Sequence, residues 1–139
     1  MSKQILSGHC YCGAVQFETS GDPIWVSHCH CESCRRHSGS AMTTYAGFRP
    51  DQVKFTAAMP SRFSPGNGVT RSFCGQCGSS VAYEAEHSPN EIHLYIGLFD
   101  DPGLLKPADH SFYAEKVSWL QVDDQLPKYQ DLEELLANR

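Results

Sequence analysis

Long apolar runs are missing from this chain of 139 residues. No stretch approaches the roughly 20 residues needed to cross a bilayer, which excludes a membrane-spanning helix. Basic charge is scarce as well: 11 Lys and Arg stand against 16 Asp and Glu, for a formal net charge of -5. A general nucleic-acid binder needs an excess of Lys and Arg for phosphate contacts, so no nucleic-acid partner is expected. The first residues, Met1 to Leu6, hold no apolar run of signal-peptide length, and the expectation is a reducing, cytoplasmic setting. Repeats, low-complexity tracts and linker-like segments are also lacking, so one domain is expected over residues 1–139. A chain of this length buries roughly two thirds of its unfolded surface and does not need disulfide staples.

Helix signals are few. Between 11 scattered Gly and 8 Pro lie short runs rich in Val, Ile, Phe, Tyr and Thr, a pattern of short strands and turns. Strands are expected over 14–19, 24–29, 41–48, 53–56, 62–64, 69–73, 80–84, 92–98 and 111–117. Pro65-Gly66-Asn67-Gly68 reads as a hairpin turn. One helix is expected over 129–138, where Leu132, Leu135 and Leu136 recur at helical spacing behind acidic early turns, and a shorter one after Cys31. The expected fold class is all-β, a single mainly antiparallel domain with short helical pieces. Trp25 and Trp119 are expected in the core.

What the chain does have is seven cysteines, an odd number for disulfide pairing. They fall in three clusters: Cys10-x-Cys12, Cys29-x-Cys31-x-x-Cys34 and Cys74-x-x-Cys77. Residues two apart in extended backbone face the same way, and a C-x-x-C turn brings two sulfurs together. Gly13 and Gly78 follow directly, where such turns need backbone freedom. Soft thiolates select zinc, and the spacing matches neither ferredoxin pattern. Seven then divides into four and three. Cys10, Cys12, Cys74 and Cys77 would make a closed structural site, and Cys29, Cys31 and Cys34 a second one with an open position. A closed second site is the rival, completed by His28, His30, His37 or His110. A redox motif at Cys74 to Cys77 lacks its usual βαβ surroundings, and buried apolar cysteines would not be clustered at ligand spacing.

Three segments resemble the glutathione-dependent formaldehyde-activating enzyme family, which includes centromere protein V. They are Gly8-His9-Cys10-Tyr11-Cys12-Gly13-Ala14-Val15, then His28-Cys29-His30-Cys31-Glu32-Ser33-Cys34-Arg35-Arg36-His37-Ser38-Gly39, then Phe73-Cys74-Gly75-Gln76-Cys77-Gly78-Ser79. The resemblance implies coiled antiparallel sheets pinned by a four-cysteine zinc at Cys10, Cys12, Cys74 and Cys77, with Cys29, Cys31 and Cys34 as ligands of a catalytic zinc. The implied reaction adds the glutathione thiol to formaldehyde and gives S-hydroxymethylglutathione, formally a carbon–sulfur lyase run in reverse.

A free thiol is about 3% ionised at pH 7, so full ionisation gains at most about 30-fold, roughly 2 kcal/mol. Positioning of both reactants must supply the rest. Arg35 and Arg36 are placed to pair with glutathione carboxylates, or equally to form a solvated basic pair. His28 and His30 are candidate proton acceptors by position, and Ser38-Gly39 and Ser79 candidate floor residues. Partners are therefore a small thiol and an aldehyde, with no membrane. The alternatives are an interaction module with structural zinc only and a thiol redox sensor built on the central cluster. Oligomeric state has no signature in the sequence.

Overall fold

The structure, a computed structural model, describes residues 4–139. Met1, Ser2 and Lys3, the start of the stretch read for a leader, lie outside the described residues. Among the described residues ten strands form two sheets: β1 (Ile5–His9), β2 (Gln16–Ser20), β3 (Trp25–Cys29), β4 (Thr43–Phe48), β5 (Val53–Phe55), β6 (Ser61–Phe63), β7 (Val69–Phe73), β8 (Ser80–Ala85), β9 (Ile92–Tyr95) and β10 (Asp109–Ser111). The smaller sheet runs β1-β2-β5 and the larger β10-β3-β4-β9-β8-β7-β6. Pairing is antiparallel except between β10 and β3. Among the described residues there are two short α-helices, α1 (Glu32–Ser38) and α2 (Leu132–Ala137). The mostly β fold class expected from the short strand-like runs is the one observed, and no helix among the described residues is long and apolar enough to cross a membrane.

Strand alternation gives the larger sheet two chemically different faces. Cross-strand register aligns Val26, Ala46, Leu94, Ala82 and Ser72 on one face, all buried. These small and apolar side chains pack with Phe48, Val81, Ile92 and Phe99, and with Val15 and Phe17 beside the smaller sheet, as one core. One residue further along each strand, register aligns Trp25, Gly47, His93, Tyr83 and Arg71 on the opposite face. This row is polar and aromatic, and it floors a cavity. Gly47 is required within it, because a Cβ there would run into the Trp25 indole.

Several boundaries depart from expectation for physical reasons. β1 has no apolar alternation, since Ile5 is exposed and Ser7 and Gly8 follow; its pairing with β2 and a bridge from Gly8 to Phe99 define it instead. The strand expected over 92–98 stops at Tyr95, and Ile96–Leu98 is a 3-10 turn. The strand expected over 111–117 is displaced to Asp109–Ser111. Phe112 then takes a left-handed φ of 53°, and Tyr113–Glu115 forms a 3-10 turn. Trp119 is a correction to the core: it is 71% exposed on an irregular segment. The turn at Pro65–Gly68 does connect β6 to β7, with Gly66 and Gly68 at φ 93° and 80°.

Candidate functional site

The outer cysteines occupy two turns of similar build. Cys10 and Cys12 leave β1, where Gly13 at φ 82° lets its N–H reach the Cys10 carbonyl at 3.1 Å. Cys74 and Cys77 join β7 to β8, where Gly78 at φ 81° reaches the Cys74 carbonyl at 2.9 Å. Backbone N–H groups of Val15, Gln76 and Cys77 donate to the buried sulfurs of Cys10 and Cys74 at 3.3 to 3.4 Å. Such bonds stabilise thiolate, the form a metal requires.

All four sulfurs lie within 4.8 Å of one another, with Cys10–Cys12 at 3.6 Å and Cys12–Cys74 at 3.8 Å. Four thiolates around zinc at about 2.3 Å stand ~3.8 Å apart, so the donor set fits. Ser79, a candidate floor residue by sequence, belongs here instead. Its hydroxyl accepts from the Tyr11 N–H at 3.0 Å and lies 3.2 Å from Cys77 Sγ. Those Ser79 hydrogen bonds draw the Cys77 thiol down to about 5.

The central cysteines form at the β3–α1 junction. Cys29 ends β3 on the same face as Trp25 and Ser27. Cys31 is the N-cap of α1, its sulfur accepting the Cys34 N–H at 3.3 Å, and Cys34 is buried in the first turn. Local sequence dictates this: an extended residue caps a helix that begins with Glu32 in its first turn and ends at left-handed Gly39. Cys29 Sγ and Cys34 Sγ are 3.5 Å apart, and the three sulfurs lie within 4.8 Å of each other.

Among the described residues no histidine nitrogen joins this group. His30 lies between two of the cysteines in sequence, but it bonds His110 at 2.8 Å, and His110 in turn bonds Asp124 at 2.8 Å. His28 pairs with Thr44 Oγ1, and His37 with the Tyr95 hydroxyl. Burial, with His110 adding its charge, holds the His30 imidazole down to about 4.

Cys29, Cys31 and Cys34 open onto a cavity of about 280 Å³. Trp25, His93, Tyr83 and Arg71 floor it, and Tyr45, Phe112, Leu132 and Leu135 complete the lining. Cys34 is held as thiolate, drawn down to about 2 by hydrogen bonds from Cys29 and Cys31, with the Arg71 charge assisting. Cys29 is pushed well above its usual range by donating to Cys31 and Cys34 and by burial.

Arg71 is the residue that sequence reading missed. It stands at an apolar phase of β7, between Val69 and Phe73, and a charge in that phase is the signal of a buried cation. Arg35 and Arg36, by contrast, do not line the cavity. Arg35 is half-buried on α1, and the exposed Arg36 pairs with Glu32 at 3.2 Å. Ser38 and Gly39 cap the far end of α1 and also stand apart from the cavity.

A family profile described as glutathione-dependent formaldehyde-activating enzyme matches residues 5–115. A Halomonas elongata protein provisionally named as such an enzyme is 26% identical over 132 residues, covering 86% of this chain and 82% of that protein. An uncharacterised lyase of Schizosaccharomyces pombe is 23% identical over 92 residues, covering 66% of each. A crystal structure of a Rhodobacter sphaeroides protein is similar in fold, with a TM-score of 0.57 at 18% identity, covering 88% of this chain and 98% of that one.

Proposed function

The chain belongs to the glutathione-dependent formaldehyde-activating enzyme family, and from that premise we propose that it joins a small thiol, glutathione first, to formaldehyde or a related carbonyl at Cys29, Cys31 and Cys34. The observation that carries this reading is the convergence of three sulfurs on a cavity, with no fourth protein ligand among the described residues. An interaction module with structural zinc only would call for a closed set, and His28, His30, His37 and His110 are all engaged elsewhere. In this reading residues 1–139 are one such domain, and Cys10, Cys12, Cys74 and Cys77 hold a structural zinc.

A zinc ion held by Cys29, Cys31 and Cys34 supplies a centre at which an incoming thiol is kept as thiolate at neutral pH. The residues of the chain do the remainder. The apolar lining of Trp25, Phe112, Leu132 and Leu135 excludes water and confines both reactants. The substrate sulfur attacks the carbonyl carbon, a C–S bond forms, and the carbonyl π pair moves to oxygen, which then takes a proton. The reverse course is the lyase reaction. Ionisation alone is worth at most about 30-fold, so confinement is the larger part of any rate gain.

Replacing Cys31 with Ser removes one central donor while leaving the outer group and the core untouched. We expect metal analysis to fall from about two zinc ions per chain to about one, with unchanged far-ultraviolet circular dichroism. Exchange NMR of glutathione with formaldehyde should lose its enzyme-dependent acceleration. A Cys31→Ser protein that keeps both zinc ions and full acceleration would overturn the reading.

A further inference from the structure

Arg71 is only 4% exposed, and no carboxylate pairs with it among the described residues. Its Nη1 donates to the hydroxyls of Tyr45 at 3.0 Å and Tyr95 at 3.1 Å, and its Nη2 to Ser33 Oγ at 2.7 Å and to Cys34 Sγ at 3.5 Å. Its guanidinium carbon lies 4.4 Å from the centre of the Tyr83 ring. Three of these partners are neutral hydroxyls, and the fourth, Cys34, is one of the sulfurs assigned above to the central ion. A buried cation is retained where it meets an anion, because desolvation otherwise drives it out.

The guanidinium is held in place by its neighbours. Sheet register sets Arg71 beside Tyr83, and two tyrosine hydroxyls fix Nη1 so that Nη2 turns toward Cys34. Tyr95 is fixed in turn by His37 Nδ1 at 2.8 Å. The other charges facing the cavity are already spoken for. Arg139 pairs with Asp109 at 3.2 Å and stacks on Trp25, and Glu91 accepts from Trp25 and His93. Three thiolates outweigh one divalent ion by one negative charge, and a fourth thiolate entering between apolar walls doubles the excess. Water or a neutral ligand adds nothing to it.

Building on the proposed function, we propose that Arg71 is the specificity-determining positioning residue of the central site. Its fixed charge offsets the excess of the cysteine trio and so admits an anionic sulfur in preference to a neutral fourth ligand. The substrate class this selects is the thiol, bound as thiolate.

The test uses the full chain loaded with cobalt(II), whose visible bands report ligand exchange, titrated with glutathione and separately with imidazole as the neutral probe. Wild-type protein should show a saturable change with glutathione. Arg71→Met, similar in length but neutral, should bind glutathione at least about tenfold more weakly, with imidazole changed by no more than about twofold; Arg71→Lys should recover most of the loss. A cobalt-replete Arg71→Met protein that binds glutathione like wild type overturns the proposal. If Arg71→Met loses the central ion, retention of that ion and of thiol binding in Arg71→Lys supports a charge role, and loss in both variants overturns it. A wild-type spectrum unmoved by glutathione removes the proposed function, and this role falls with it.

Discussion

His93 is the best-defined proton-sensitive group away from the cysteines. It is 8% exposed on β9, and its Nε2 donates to Glu91 Oε1 at 2.9 Å, the same oxygen that accepts from Trp25 at 3.1 Å. Burial keeps its imidazole below the usual value, against the pull of Glu91, so it is neutral in the fold. The unfolded chain takes up that proton near pH 6.5, before the folded one does. Its contribution to stability is complete above about pH 6.5 and is lost as pH falls through the lower folded value. Melting temperature should therefore drop more steeply from pH 7 to 5 in wild type than in His93→Gln; parallel curves would rule His93 out as the cause. Cys10 and Cys12 come together with Cys74 and Cys77 across 62 positions, a grouping that the cysteine count and the resemblance suggested and local spacing alone did not. Cys29, Cys31 and Cys34 meet across one turn. Arg71 meets Cys34 from across the sheet, 37 positions away, which local spacing does not encode.

The same division governs the elements. Seven of the nine expected strands match observed ones within a few residues, because a half-buried strand writes its faces into alternating side chains. β1 does not, since a glycine stands where its one buried position falls. A Cβ on Gly8 would meet the Phe17 ring and the Leu98 carbonyl, so the approach of β1 to the core depends on its absence. Gly8→Ala should destabilise the protein by about 2 kcal/mol and lower the melting temperature by several degrees. Calorimetry showing no change would mean that β1 moves away at no cost. The segment over 111–117 misled because its aromatic content resembles a strand, whereas left-handed Phe112 turns the chain.

Viewed whole, the two sheets share one core, and the outer cysteines converge beside it, with Cys12 and Cys74 3.8 Å apart. The cavity is assembled differently. Its floor and its sulfurs lie in β3, β4, α1 and the β7–β9 strands, but Phe112, Leu132, Leu135 and Arg139 come from the segment that follows β10. β10 pairs with β3 in parallel across 82 positions, Ser27 opposite Asp109. Pairings that distant form late, because loop closure precedes the contacts that reward it. The expected order in time is that the trio is built first and roofed last. During refolding without metal, pulsed alkylation should still label Cys29 and Cys34 after the circular dichroism of the sheet has returned; protection gained in step with the sheet would contradict this order. On that order, a newly folding chain would pass through an interval in which its thiols face the surrounding solution, and the metal, oxidant or aldehyde that arrived first would decide what the finished cavity encloses.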